Sequence, residues 1–429
     1  MKLKAVSGIM LTLLLLGMLI LRFNIQPVKA ELGTIYIRAD GSVEPSTANI
    51  TSSDNVTYYF TDNIYDEIVV ERDNIVVDGA GYRLQGTGVY DSKGIDLTGR
   101  NNITNKNMEI DAFWWGIWLE DSSSNNIIGN TITNHEGYGI YSIQGSSNNG
   151  IFGNSITNND DGVYFHSSNH NNIVGNNITG NNDDGIRIDV FSNYNIVAGN
   201  IITNNGLHGL DLNGDLNSIV GNNIIGNKYD GIRLDVSSEY NRISGNNITN
   251  NYDGIYLEKA SNNSIYHNNF INNTEQVYLA HLNDINIWDD SYPSGGNYWS
   301  DYTGVDNCGG PYQNETGSDG IGDTPYFIDE NNRDNYPLMN PWTPKNAIRK
   351  LIRDVENMNL QQGIDNSLDA KLTVALGALE ALNADQRNDA INKLDAFVNE
   401  IEAQREKKLT NEQADYLIGA AQEIINLLG

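Results

Sequence analysis

The sequence predicts a mainly β protein: a right-handed parallel β-helix solenoid with coils of about 23 residues, followed by a small four-helix C-terminal domain. Three observations carry this prediction. First, the Gly-aliphatic dipeptides at Gly116, Gly139, Gly162, Gly185, Gly209, Gly231 and Gly254 recur at gaps of 23, 23, 23, 24, 22 and 23. A fixed period in this range marks a stacked repeat. Second, asparagines recur in an independent register at Asn130, Asn154, Asn176, Asn200, Asn222, Asn246 and Asn268, each followed two places later by an apolar residue. Third, apolar residues alternate within each unit, as in Ile186, Ile188 and Val190, which is the period of a strand with one buried face. Turns rich in Asn, Asp and Gly, residues that tolerate left-handed backbone, separate these short strands.

The elements follow in order. Residues 1–30 read as an export signal: Lys2 and Lys4 precede an apolar run from about Ala5 to Leu21, and small residues end the segment at Ala30. Only if this segment stays uncleaved would the protein be held at a membrane. Residues 31–100 are expected to form an N-terminal cap and the first strands, because the outermost coil of a solenoid otherwise leaves an unpaired edge. Residues 101–274 are the repeats. The asparagine row is expected to stack as a ladder, each side-chain amide bonding to its neighbours or to turn backbone.

Residues 275–344 lose the period and read as a loop-rich C-terminal cap. From 345 to 429 the apolar spacing becomes helical, for example Ile348, Leu351, Ile352 and Val355, or Leu394, Phe397, Val398 and Ile401. Four helices with short connections imply an antiparallel bundle, and Thr410 with Gln413 three places on is a capping box for the last of them.

Composition narrows the function. Removing residues 1–30 takes away Lys2, Lys4, Arg22 and Lys29 and carries the formal charge from −29 to −33. Such a surface repels nucleic acid and anionic lipid. Neutral polymers and cations remain as partners. Cys308 is the only cysteine, so no intrachain disulfide framework exists despite export, and it reads as an inert thiol.

The phrase "NNITNNYDGIYLEKASNNSIYHNNFINNTEQVYL", with "YPSGGNYWSDYTG" and "DGIGDTPYFIDENNRDNYPLM", resembles the NosD-type β-helix family within the CASH group of carbohydrate-binding proteins and sugar hydrolases, over roughly residues 70–340. The stretch from Asp365 to Ile418 is similar to a FIMAH domain, a helical appendage of secreted hydrolases and surface proteins, which implies attachment or docking to a surface partner. The NosD resemblance implies copper-enzyme maturation, but copper takes clustered Met, His or Cys. Here Met108, Met339 and Met358 are isolated and the histidines scattered, so a copper role is not expected.

If each Gly-aliphatic pair opens a strand with the aliphatic residue inward, the next residue points outward. That row is Trp118, Tyr141, Tyr164, Arg187, Asp211, Arg233 and Tyr256. The positions before Gly give Trp115, Tyr138, Asp161, Asp184, His208, Asp230 and Asp253. Two readings stand for the aromatic members Trp115, Trp118, Tyr138, Tyr141, Tyr164 and Tyr256. Their faces suit sugar rings, giving a polysaccharide or glycan partner, or they stack on one another to stabilise the sheet.

Asp184, Arg187, His208, Asp211, Asp230 and Arg233 set carboxylates beside cations on adjacent coils. This is the material of a polysaccharide lyase or glycoside hydrolase, and equally of a charge-paired surface ladder. Asp319 and Asp323 flank a glycine-containing turn and outline part of a calcium loop. Asn-x-Ser/Thr at Asn49, Asn55, Asn102, Asn177, Asn247, Asn262, Asn272 and Asn314 makes glycosylation an expectation for an exported chain, weakened because "NNIT" belongs to the repeat itself. The expected protein is secreted or held at the cell surface and binds carbohydrate along its outward row. The alternatives are an enzyme of the β-helix type and a structural or adhesive spacer.

Overall fold

A computed structural model describes residues 33–281, 283–358, 360–380 and 384–428. The export signal lies outside the described residues. The repeats wind into a right-handed parallel β-helix whose three faces are sheets of twelve, eleven and ten strands.

One coil shows how the sequence makes this shape. Asn172–Val174 belongs to the eleven-stranded sheet, Gly175 turns the chain at φ 66°, Asn177–Thr179 joins the ten-stranded sheet, and Ile186–Ile188 joins the twelve-stranded one. Ile173, Ile178, Ile186 and Ile188 point inward and are fully buried. So few apolar side chains make a thin core, and polar stacking supplies much of the remaining cohesion.

That stacking is threefold, whereas the sequence reading anticipated one row. Asn125, Asn149, Asn171, Asn195, Asn217, Asn241 and Asn263 line one corner; the row from Asn130 to Asn268 lines the next; Asn159, Asn181, Asn205, Asn227, Asn251 and Asn273 line a third. Asn200 shows the pattern. Its Oδ1 accepts from the backbone N–H of Asn176 at 2.9 Å and from the Asn176 amide at 3.0 Å. Its own amide donates to the Ile173 carbonyl at 2.8 Å and to Asn222 at 2.9 Å. Each buried amide thus satisfies turn backbone groups that no strand could reach.

The solenoid extends beyond the repeat seen in the sequence. Thr34–Ile37 already pairs in parallel with Glu67–Val70, so the first strands expected within residues 31–100 are rungs of the helix. Short antiparallel pairings, Tyr36 with Glu44 and Ile50 with Phe60, edge that end. At the other end Tyr298–Trp299 still pairs with Asn269–Phe270. There the cap closes two ladders: Asn332 accepts from the Asn286 N–H at 3.0 Å, and Asp334 from the Asn297 N–H at 2.7 Å. Trp299 stacks between Phe270 at 4.4 Å and Tyr326 at 4.3 Å and seals the apolar core.

Four helices follow: α1 Pro344–Asn357, α2 Gln362–Glu380, α3 Ala384–Gln404 and α4 Asn411–Leu428. Thr343 caps α1, and the Thr410/Gln413 capping box is reciprocal, with bonds of 3.0 and 3.1 Å. The bundle is not a free appendage. Its core is continuous with Ile321, Leu338 and Trp342 of the cap. Helix α4 lies on the solenoid flank, where Leu427 sits against the glycine row at Gly221 and Gly245; a Cβ on Gly245 would come within 2.7 Å of it. In the next coil the glycine is replaced by His267, which holds φ 56°, pairs with Glu423 at 3.0 Å and stacks on Trp342 at 3.7 Å.

Two predictions follow from the ladders. Asn200→Ala removes four hydrogen bonds and leaves buried backbone groups unpaired, so urea unfolding should show a loss of at least about 3 kcal/mol; a loss below about 1 kcal/mol would mean the ladders are incidental. In the third ladder His135 stands where later coils have Asn. Its Nδ1 accepts from the Phe113 N–H at 3.1 Å, its Nε2 is buried without a partner, and burial drives its pKa down to about 4. The unfolded chain takes up a proton below pH 6.5 that the fold refuses, so this site's stability is intact above pH 6.5 and declines as pH falls toward 4. His135→Asn should therefore gain on the wild type by about 2 kcal/mol more at pH 5 than at pH 8 in paired melts.

Candidate functional site

The twelve-stranded face carries the outward row as the spacing predicted it. Trp118, Tyr141, Tyr164, Arg187, Asp211, Arg233 and Tyr256 are consecutive register partners, and the row continues to Asp96 at one end and Tyr278 at the other. The stiff parallel sheet fixes these side chains one coil apart, roughly 4.8 Å.

The aromatic end is an interlocked cluster. Trp115 meets Trp118 at 4.5 Å, Trp118 meets Tyr141 edge-on at 5.0 Å, and Tyr138 meets Tyr141 at 4.9 Å. Trp115, Trp118, Tyr138 and Tyr141 remain half-buried. Tyr164 does not: it is only 9% exposed, with Tyr138 and Tyr141 around it and the Arg187 guanidinium 5.0 Å from its ring. It is therefore a supporting ring and not a contact surface. At the far end Tyr256 stacks on Tyr278 at 5.2 Å. Tyr90 and Trp114, which the repeat does not align, form an edge contact of 4.8 Å beside the cluster, and Tyr90 is 74% exposed.

The six charged candidates split into two layers. Asp184 and Asp230 are buried beneath the face, together with Asp161 and Asp253. For Asp161, Asp184 and Asp230 the position before Gly lies in the turn, and turn side chains can fold under the sheet to serve backbone. Asp161 accepts the Asp184 N–H at 2.9 Å, Asp184 accepts the His208 N–H at 2.9 Å, and His208 Nδ1 lies 3.0 Å from Asp230. These residues continue the ladder principle with acidic members. Asp184, His208 and Asp230 consequently do not present a catalytic group to the face as the sequence reading supposed. Burial pushes the Asp161 carboxyl up to about 8 and that of Asp253 up to about 7.

Arg187, Asp211 and Arg233 form the upper layer. Asp211 lies between the two guanidinium groups, 4.0 Å from Arg187 and 3.9 Å from Arg233, and its Oδ1 has no hydrogen-bond partner. Burial, assisted by the charge on Asp184, raises its pKa to about 7. Asp189, which is not among the six charged candidates, sits 3.8 Å from Arg187 on the other side. Although burial opposes it, bonds from the Tyr164 hydroxyl at 2.7 Å and the Val190 N–H at 2.7 Å hold Asp189 below the usual carboxylate range. Arg233 also reaches Asp235 and Glu258, at 3.6 and 3.1 Å. Beside this centre a groove of about 370 Å³ is lined by Asn213, Asp215, Val236 and Phe191, the last 74% exposed.

Asp319 and Asp323 do not assemble a calcium loop. Asp319 accepts from Gln313 and from the Ile321 N–H, and Asp323 accepts from the N–H groups of Asn307 and Cys308. Their oxygens close the cap's turns. Among the described residues no group of three or more His, Cys, Asp or Glu is arranged to hold a metal ion. No described helix is long and apolar enough to cross a membrane.

Residues 181–304 match the family described as "Periplasmic copper-binding protein (NosD)", and residues 35–188 and 93–214 match "Right handed beta helix region". Among the described residues, the histidines and methionines do not fit a copper site. His135 is enclosed in a ladder, His208 faces Asp230, His267 lies between Glu423 and Trp342, and Met108 is in the core. No curated protein matches the chain.

Among solved structures, a periplasmic alginate epimerase mutant is similar at 19% identity, covering 62% of this chain and 71% of its own, with a TM-score of 0.47. An alginate lyase from Paenibacillus sp. is similar at 15% identity over 52% and 92% with a TM-score of 0.42. The catalytic domain of an alpha-1,3-glucanase is similar at 17% identity over 56% and 57% with a TM-score of 0.44. The two family matches, read with the three-sheet solenoid, show a right-handed parallel β-helix that is similar to the NosD family over residues 181–304.

Proposed function

We propose that the protein, exported and acting outside the cytoplasm, binds a polysaccharide lengthwise along the twelve-stranded face. The observation that carries this reading is the in-register outward row, with half-buried aromatic rings at both ends and hydrogen-bonding groups between. Sugar C–H faces stack on such rings while hydroxyls exchange bonds with carboxylates, amides and guanidinium groups. The groove beside Phe191 gives room for a branch or a neighbouring ring.

Electrostatics selects the polymer class. Arg187 is flanked by Asp189 and Asp211, and Arg233 by Asp211, Asp235 and Glu258, so neither guanidinium is left to hold an acidic sugar. On a chain of charge −29, a neutral polysaccharide is favoured over a uronate polymer.

A second reading, glycoside hydrolysis, rests on one feature: Asp211 and Asp189 flank the same guanidinium while their environments push their acidities apart. Such a divergence separates a proton donor from an ionised partner. A lyase is less suited, since it needs a cation free to meet a uronate.

Paired replacement of Trp118 and Tyr141 by Ala should lower retention on immobilised neutral glycans at least tenfold while retention on alginate stays weak throughout; equal retention by variant and wild type would remove the binding reading. Release of reducing ends from the retained polymer, abolished in Asp211→Asn, would establish the hydrolase. Stability offers an independent check. Folded Asp211 keeps its proton up to about pH 7 whereas the unfolded chain loses it near 3.8, so ionisation disfavours the fold as pH rises between those values. Thermal melts of Asp211→Asn should fall less than those of the wild type between pH 5 and 8; parallel curves would show that the carboxyl is already ionised.

A further inference from the structure

A second cavity, of about 230 Å³, lies between the C-terminal cap and α1. It is lined by Arg349, Lys350 and Arg353 with Asn340, Asn346 and Trp342, and by Gly320, Leu338 and Pro341. No carboxylate lines it, in a chain with 55 acidic residues against 26 Lys and Arg.

The cations differ in what they already hold. Lys350 is buried and paired with Asp354 at 2.9 Å. Arg349 bonds Asn346 at 3.1 Å and Glu380 at 3.1 Å, the latter an exposed pair of the kind that salt screens and that contributes little. The Arg353 side chain has no hydrogen bond or ion pair among the described residues. Its guanidinium lies over Gly320, which has φ 88°; a Cβ there would come within 2.6 Å of Nη2, so the glycine leaves room for the arginine.

The frame around these groups is rigid. The Trp342 backbone is clasped by the Asn269 amide through bonds of 2.6 and 2.9 Å, and its ring stacks on His267. The indole N–H of Trp342 is buried and lacks an acceptor. Arg349 and Arg353 are four residues apart and so share one face of α1. Asn346, in the first turn of α1, also lines the cavity.

We propose that this cavity binds an oxyanion: a carboxylate, sulfate or phosphate group, held in the fork of Arg353 with Arg349 and the two asparagine amides. A guanidinium fork matches the planar or tetrahedral oxygens of these groups, which a chloride ion cannot reproduce. The site is separate from the twelve-stranded face and stands whether or not that face binds glycan.

The test uses the full chain. Sodium sulfate, sodium phosphate and sodium glucuronate are titrated calorimetrically against sodium chloride at equal ionic strength, with thermal melts in parallel. One ion bound per chain, with a raised melting temperature and at least tenfold weaker binding in Arg353→Gln, is the expected result. Glucuronate as the tightest ligand identifies a sugar acid, and sulfate or phosphate an ester or free ion. Arg353 is exposed, so Arg353→Gln should fold and keep the wild-type retention on neutral glycans, which separates this site from the outward row. No binding beyond chloride for any of the three ions, or undiminished binding in Arg353→Gln, overturns the proposal.

Discussion

The structure depends on coil-to-coil register, and register depends on buried asparagine amides. An amide side chain has an acceptor and two donors, enough to bond the coil before it and the coil after it from one position. At a corner between two sheets the strand hydrogen bonds have ended and the backbone still needs partners. Asparagine supplies them in the interior, where a missing bond is most expensive. This explains a composition that looks wrong for a globular core: the interior is built from one or two aliphatic residues per strand and continuous polar rows per corner.

A ladder must end somewhere, and the C-terminal cap is shaped by that requirement. The N–H of Asn286 and that of Asn297 would be left open at the last coil; Asn332 and Asp334 return from the cap to meet them. Asp334 accepts three N–H groups, from Asn297, Trp299 and Tyr336, while burial raises its pKa to about 7. The same turn that closes the ladder also positions Trp299 over the apolar core. Bundle and cap then share one core through Trp342, so the helices extend the cap instead of hanging from it.

How much of this was legible follows from which signals are periodic. The Gly-aliphatic dipeptides gave the outward row residue by residue, because alternation along a strand fixes which side chains face out. The Asn130 row was visible because an apolar residue follows each member. The other two rows were hidden, since in turns where nearly every position is Asn, Asp or Ser no register stands out. The depth of Asp184 and Asp230 could not be read, because a turn side chain has no period to follow. The docking of α4 was invisible for a similar reason. Helical spacing reveals the stripe facing the bundle core, whereas Leu427 and Glu423 meet the solenoid from outside that stripe.

The asymmetry between the two proposed sites follows from the same architecture. On the sheet, register sets Asp211 between Arg187 and Arg233 one coil away on either side, while Asp189 and Asp235 meet the same guanidinium groups from their own coils, and a row built this way neutralises itself. It is suited to ligands recognised through hydroxyls and ring faces. At the junction with α1 the repeat has ended, and helical spacing sets the neighbours. Arg349 and Arg353 come together on one face without an intervening acid, and Gly320 clears the space above them. An arginine without a carboxylate partner, Arg353, therefore stands in this strongly acidic chain where one periodicity gives way to another and the coil-to-coil pairing of charges is no longer imposed.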